Sequence, residues 1–288
     1  MATTDRQATT LALAHALSAA ERGLAVIPLS RTKLPALRSP HRDDPAPAPC
    51  HGECGRFGHG VHDASTDPAR VRALFAAAPW ATGYGIACGL PPHRLIGIDL
   101  DTKSGTDSMA ALRDLARHHR FTVPPTVVVL TPSGGRHLWL SGPPHVVVPN
   151  SAGRLAPGID IRGAGGYLVG PGSRTRHGTY TTAPGTARLA PAACPPALLR
   201  LLVPPPRPHR PVPATPGGHG QGLVRFVLAA HEGRRNTRLF WAACRAYEDG
   251  IGPALADSLA AAARATGLSE HEARTTIASA ARMTGHRP

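Results

Sequence analysis

The chain has 288 residues and a formal net charge of +14, from 32 Lys and Arg against 18 Asp and Glu. That length is enough for one substantial core plus a smaller appended domain, and the charge suits a polyanionic partner held in a salt-sensitive way. No run of about 18 apolar residues offers a membrane span, and the five cysteines are too unevenly placed to form a disulfide framework. Lysine occurs only at Lys33 and Lys103 while Arg, Ala, Pro and Gly abound throughout. Part of the basic excess is therefore general composition of a high-GC kind.

Taken in chain order, the start Met1-Ala-Thr-Thr-Asp-Arg6 lacks the basic, apolar and cleavage segments of a secretory leader, which makes a cytoplasmic location the expectation. Leu11, Leu13, Ala16, Leu17 and Ala20 recur at helical spacing, predicting a helix over Thr9–Arg22 that Gly23 ends. Leu24–Leu29 reads as a first strand, and residues 38–62, rich in Pro, Gly, His and Cys, as a loop or small insertion. Asp67-Pro68 is an N-cap followed by a first-turn proline, opening a helix through Ala78. Ser108–His119 reads as another helix, after which the chain is strand-rich to about Tyr180. Residues 203–221 are too dense in proline for helix or sheet and predict a semi-rigid linker. Beyond it, Leu223–Ala230, Asn236–Asp249, Pro253–Thr266 and Ser269–Met283 read as helices, the last opened by the capping-box pair Ser269 and Glu272. The expected class is α+β, divided as 1–202, a linker 203–221, and a small all-helical module 222–288.

The chemistry is concentrated in four short stretches. Leu95-Ile-Gly-Ile-Asp-Leu-Asp101 alternates so that Asp99 and Asp101 share one face while Ile98 and Leu100 share the other. Thr126–Leu130 and Leu138–Leu140 predict a strand pair around Ser133-Gly-Gly-Arg-His137. Gly158-Ile-Asp-Ile161 places Asp160 in a third apolar strand, followed by Arg162 and the Gly163–Gly172 loop. Carboxylates at strand centres are costly to bury unless a cation neutralises them. Asp99, Asp101 and Asp160 therefore predict a site for Mg²⁺ or Mn²⁺, hard ions that take carboxylate, water and phosphate oxygens. A pair of such ions would activate a hydroxyl and stabilise a leaving pyrophosphate. His137, Arg136 and Arg162 would face a triphosphate, and Ser133, Gly134 and Gly135 would bring backbone N–H groups close to it. A D-x-D pair alone also occurs in glycosyltransferases and nucleases.

The runs Gly97-Ile-Asp-Leu-Asp101, Thr131–Trp139 and Gly158–Gly163, in that order, resemble the archaeo-eukaryotic primase superfamily, and more closely the bifunctional primase–polymerase (prim-pol) domains. The likeness spans roughly residues 10–200. Lys33-Leu-Pro35 is similar to the family's basic turn, His62–Pro68 to its "ATTDP" helix start, Tyr84–Gly89 to its "IGIATG" strand, and Gly166–Ser173 to the segment after the third motif. The resemblance implies an RRM-like catalytic core with a mixed or antiparallel sheet. It also implies catalytic metals on Asp99, Asp101 and Asp160, and His137 on the incoming nucleotide's phosphates. One departure concerns the family's Ser-x-His motif, because Gly135 stands two residues before His137 and Ser133 two further back. Glu232–Phe240 resembles a helix of primase-associated C-terminal modules, so Arg234, Arg235 and Arg238, with Lys33, are candidate nucleic-acid contacts; a solvated first turn of a packing helix is the alternative.

Cys50 and Cys54, with His59 and His62, could supply a Cys₂His₂ or Cys₂His set to Zn²⁺, or could belong to a mobile His-rich loop. Three functions follow from the whole: a template-directed DNA primase or polymerase using single-stranded DNA and nucleoside triphosphates, a metal-dependent phosphodiesterase or nuclease, and a replication-associated DNA-binding protein with little turnover. No G-x-x-x-x-G-K-[ST] loop is present, so a helicase working with this protein would be a separate chain.

Overall fold

Helix α1 (Ala2–Glu21) ends where the sequence places its stop. Gly23 takes a left-handed φ of 77°, its N–H donates to Ala20 O, and the N–H of Leu24 donates to Ala19 O. That double closure is a Schellman motif, and it needs a residue without a Cβ at its centre. In this computed structural model residues 2–44, 50–102, 107–203, 219–231 and 235–284 are described. The chain divides into two compact units, Met1–Arg207 and Pro208–Pro288.

In the first unit, α1 is followed by β1 (Val26–Leu29), α2 (Pro68–Ala77), β2 (Gly83–Ala87), β3 (Leu95–Leu100), α3 (Ser108–His119), β4 (Val128–Leu130), β5 (Arg136–Ser141), β6 (Ile159–Arg162), β7 (Tyr167–Val169) and α4 (Pro196–Leu202). Asp67 caps α2 by accepting from the N–H groups of Ala69 and Arg70, at 3.0 and 3.3 Å. A small antiparallel sheet has the order β1-β2-β7, and a larger one runs β4-β5-β3-β6. Thr181–Thr182 extends the larger sheet beyond β4, and Ala192–Ala193 adds a parallel pairing to β5. The α+β class and mixed sheet agree with expectation.

Alternation along β3 and β5 sorts the side chains into two cores. Ile96, Ile98, Leu100, Leu138, Leu140, Ile159 and Ile161 pack on one face with Leu112 of α3 and Leu198 and Leu202 of α4. Leu95, Val129 and Trp139 lie on the other face, in one cluster with β1, β2, β7, α1 and α2. That second face carries Gly97, where an added Cβ would come within 2.5 Å of Leu168 in β7. The small sheet thus lies against the inner face of the larger one, with the glycine allowing the approach.

The second unit consists of α5 (His219–Leu228), α6 (Arg235–Glu248), α7 (Gly252–Ala265) and α8 (Glu270–Met283). Its core is built largely from alanines, among them Ala242, Ala243, Ala246, Ala263, Ala280 and Ala281, around Leu239, Leu259 and Ile277. The capping box is present, with Ser269 accepting from the Glu272 N–H and the Glu272 carboxylate accepting from the Ser269 N–H. Helix α5 begins at His219, inside the stretch expected as linker. The last proline there is Pro216, after which every residue retains its N–H donor. Among the described residues, no helix is long and apolar enough to cross a membrane.

Candidate active site

Three strands bring three motifs side by side. In the β3–β5 ladder Asp99 pairs with His137, and in the β3–β6 ladder the same Asp99 pairs with Asp160. Directly opposed residues project to the same face of a sheet, so all three side chains emerge on the inner face, in line with Gly97. Arg162 lies two residues after Asp160 on the same face, and its guanidinium bridges both carboxylates, at 3.4 Å from Asp99 Oδ2 and 3.1 Å from Asp160 Oδ2. Asp101 follows at the end of β3, where its N–H donates to Gly158 O. It is close enough to bear electrostatically on Asp99, Asp160 and His137.

Burial dominates the electrostatics. It pushes the Asp99 carboxyl above the usual carboxylate range, against the pull of Arg162, and Asp101 pushes the same way. Asp160 is raised for the same first reason, while Arg162 and the Gly153 N–H hold it back. The His137 imidazole, 3% exposed, is driven down to about 4 by burial and by Arg162, so it is neutral at pH 7. Its Nε2 lies 3.5 Å from Asp99 Oδ1, and its Nδ1 is buried without a hydrogen-bond partner. These groups gather negative charge in a part-buried setting and balance it with Arg162 and, more weakly, Lys33.

The three motifs open on a cavity of about 430 Å³ lined by Asp99, His137 and Arg162 together with Lys33, Asn150, Tyr167 and Tyr180. Tyr167 Oη donates to Lys33 O at 3.0 Å, fixing the basic turn to β7. Asn150 holds the loop after β6 by accepting from the Gly163 N–H at 2.8 Å. Gly166 must be a glycine here, since a Cβ would come within 2.2 Å of Asn150 Oδ1. Three lining residues, Thr32, Asn150 and Tyr180, were not singled out by sequence reasoning. Tyr180 lies with its ring 5.5 Å from that of His137, and burial pushes its hydroxyl up to about 12. Neither Tyr180 nor Asn150 carries a sequence signal, because each lies in an irregular stretch with no motif around it.

The family model described as bifunctional DNA primase/polymerase, N-terminal, matches residues 16–197, well over half of the chain. The chain belongs to this Prim-Pol family. It is a family of primase/polymerase-type nucleotidyltransferases that act with DNA and nucleotides and generally use divalent metals. No curated protein matches the chain.

Within the Prim-Pol unit, the turn Ser133–Arg136 lies outside the cavity lining. Thr102 Oγ1 donates to Ser133 O at 2.9 Å, which ties the turn to the residue after Asp101. Gly134 is left-handed with φ 86°, and a Cβ on Gly135 would come within 2.4 Å of Leu100 O. These glycines therefore let the β4–β5 turn hug β3. Arg136 pairs with Leu100, so its exposed side chain leaves on the face opposite His137. In the helical unit, Arg238 donates to Phe226 O at 3.1 Å and Ala229 O at 2.7 Å and lies 4.5 Å over the Phe226 ring. Arg235 packs against Gly267 with a buried Nε. Arg234 lies outside the described residues.

The acidic donor set fits a hard divalent ion in chemistry: its donors are all carboxylate oxygens, part-buried, and two of them, Asp99 and Asp160, are raised in pKa by that burial. Arg162 bridges two of its three members, Asp99 and Asp160. Among the described residues, one set of three or more metal-ligating groups brings all its donor atoms within 4.8 Å, and it is His41, Cys50, Cys54 and His59 rather than the aspartates. His62, expected in that loop set, instead stacks on His51 with ring centroids 4.3 Å apart. His41 takes the place expected for it because the chain around residues 38–44 folds back over the loop, where Arg38 O lies against Gly58.

Proposed function

We propose that this chain is a DNA primase, a DNA polymerase or both, joining nucleoside triphosphates along a single-stranded DNA template, with Asp99, Asp101 and Asp160 holding Mg²⁺ or Mn²⁺. The observation that carries the reading is the Asp99–Asp160 pair, opposed across β3 and β6 and bridged by Arg162 at a cavity that also contains Lys33. A pair of part-buried carboxylates neutralised by Arg162, with Lys33 close by, suits a substrate that arrives with its own phosphate charge.

Bound divalent metal would supply Lewis acidity at the α-phosphate and a lowered pKa for the attacking 3′-hydroxyl. The chain's own residues bind and orient. Lys33 and Arg162 meet the triphosphate, and Arg162 exchanges its carboxylates for phosphate oxygens as the nucleotide enters. Neutral His137 offers one N–H donor without adding charge. Tyr167, at the start of β7, and Tyr180 wall the cavity. Catalysis rests on alignment and charge stabilisation.

The proposal extends to the rest of the chain. Residues 1–202 form the catalytic domain and the helices from His219 onward a primase-associated module, in the cytoplasm. The test is incubation of the full chain with labelled nucleotides, Mg²⁺ or Mn²⁺ and single-stranded template, beside Asp99→Ala and Asp101→Ala. Oligonucleotide synthesis or primer extension that both variants lose is the expected result. Metal-dependent degradation of the template identifies a nuclease instead, and DNA retention without either activity a binding protein.

A further inference from the structure

The loop between β1 and α2 carries a second constellation, remote in chemistry from the carboxylates. Nitrogen and sulfur donors of His41, Cys50, Cys54 and His59 lie within 4.8 Å of one another, and Cys54 Sγ is 3.4 Å from His59 Nε2. We propose that these four side chains form a closed, tetrahedral zinc site that staples this loop to the Prim-Pol core.

Both histidines are arranged as metal ligands are. His59 points Nε2 at the thiols while its Nδ1 lies 3.4 Å from Asp63 Oδ1, and both side chains are only 3% exposed. Asp63 is fixed in turn, its Oδ2 accepting from the N–H groups of Gly58 and His59 at 2.7 and 2.8 Å. His41 has the mirror arrangement, with Nδ1 2.8 Å from Asp44 Oδ2 and a buried Nε2 that has no hydrogen-bond partner. A carboxylate on the outer ring nitrogen orients an imidazole and raises its basicity toward a metal. Two such pairs in one loop, each leaving the inner nitrogen for the cluster, are not needed for packing. The backbone is shaped to match: Gly58 has φ 116°, and a Cβ there would lie 2.0 Å from Arg38 O.

Two thiolates and two imidazoles select a borderline-soft ion over Mg²⁺, and four protein ligands leave no open position for substrate. The centre is therefore structural. Gly60 and Asp63 lie beside Ile27, Pro28 and Pro35, which places the staple against β1 and the turn that delivers Lys33. The proposal stands apart from the nucleotidyltransferase reading and survives its failure.

The test uses tag-free full-length chain, reduced and equilibrated with zinc. One tightly held zinc per chain is expected, and cobalt in its place should give the absorption of a tetrahedral thiolate site. Cys54→Ser and His41→Ala should lose that spectrum, whereas His62→Ala should keep it. Asp44→Asn, at a half-exposed carboxylate, should lower zinc affinity about 10- to 100-fold in competition with a chromophoric chelator. Wild-type chain that takes up no zinc, an octahedral cobalt spectrum, a Cys50–Cys54 disulfide that persists after reduction and zinc addition, or dependence on His62 rather than His41 overturns the proposal.

Discussion

Asp99 and Asp160 stand directly opposite each other in the β3–β6 ladder, on the inner face of the sheet, with their carboxyls raised in pKa by burial. Such a pair is an unfavourable arrangement for folding alone, and strain of this kind is held where it serves chemistry. Asp99→Asn and Asp160→Asn should therefore lower nucleotide incorporation at least about 100-fold while leaving the thermal midpoint of the metal-free protein unchanged or higher. A combined activity and calorimetry series checks both halves. Loss of stability with retained incorporation would make the pair structural.

Among the described residues Arg162 is the guanidinium that bridges those carboxylates, and its removal exposes them to each other. Arg162→Gln should lower the stability of the metal-free protein, and added Mn²⁺ should raise its thermal midpoint more than it raises the wild type's. If Arg162 also receives the triphosphate, the nucleotide KM should rise about 10- to 100-fold, the loss of one charge-assisted hydrogen bond. Thermal shifts with and without Mn²⁺, beside steady-state kinetics, separate the two effects.

Gly97 lies beneath Leu168, with 2.5 Å between the leucine and the position a Cβ would take. Gly97→Ala must push the two sheets apart or displace the leucine, at about 1–3 kcal/mol. Because Gly97 lies two residues before Asp99 on the same face, incorporation should fall along with stability. Leu168→Ala in the same chain should restore part of both, and a double-mutant cycle measures that coupling.

The sequence made the individual strands and their chemistry readable, because alternation in Leu95–Asp101 fixes which side chains share a face. Cross-strand register was beyond it. That Asp99 meets both His137 and Asp160 depends on pairings with segments 38 and 61 residues away, which no local pattern specifies. Helix starts with strong chemistry, Asp67-Pro68 and Ser269 with Glu272, were legible; the start of α5, which has only Gly and Gln near it, was not. The loop histidines show the same limit. Spacing pointed to His62, whereas chain reversal near Arg38 brings His41 to the thiols.

His137 sets a pH dependence with a definite sign. Burial and Arg162 hold its imidazole down at about 4, against 6.5 for the unfolded chain. Between those values the unfolded state takes up a proton that the folded state refuses, so this group's contribution is present above pH 6.5 and is lost as pH falls toward 4. At about 1.4 kcal/mol per unit the loss is on the order of 3 kcal/mol. The raised Asp99 and Asp160 oppose it by binding protons more readily when folded. Urea titrations of metal-free wild type and His137→Gln isolate the histidine, and the stability of the wild type relative to the variant should fall as pH is lowered through that window.

Arg238 separates a packing role from a nucleic-acid role in the helical unit. Its guanidinium is spent on Phe226 O and Ala229 O, the carbonyls at the end of α5, and on the Phe226 ring. A cation at a helix C-terminus satisfies carbonyls that lack partners within the helix and meets the negative end of its dipole. Arg238→Ala should cost about 1–3 kcal/mol in the unfolding of that unit, while the salt dependence of single-stranded DNA binding stays as in the wild type. A side chain on phosphate behaves otherwise: each phosphate contact removed lowers the slope of log affinity against log salt by about 0.7 on single strands. Unchanged stability with a reduced slope would move Arg238 from the helix end to the DNA.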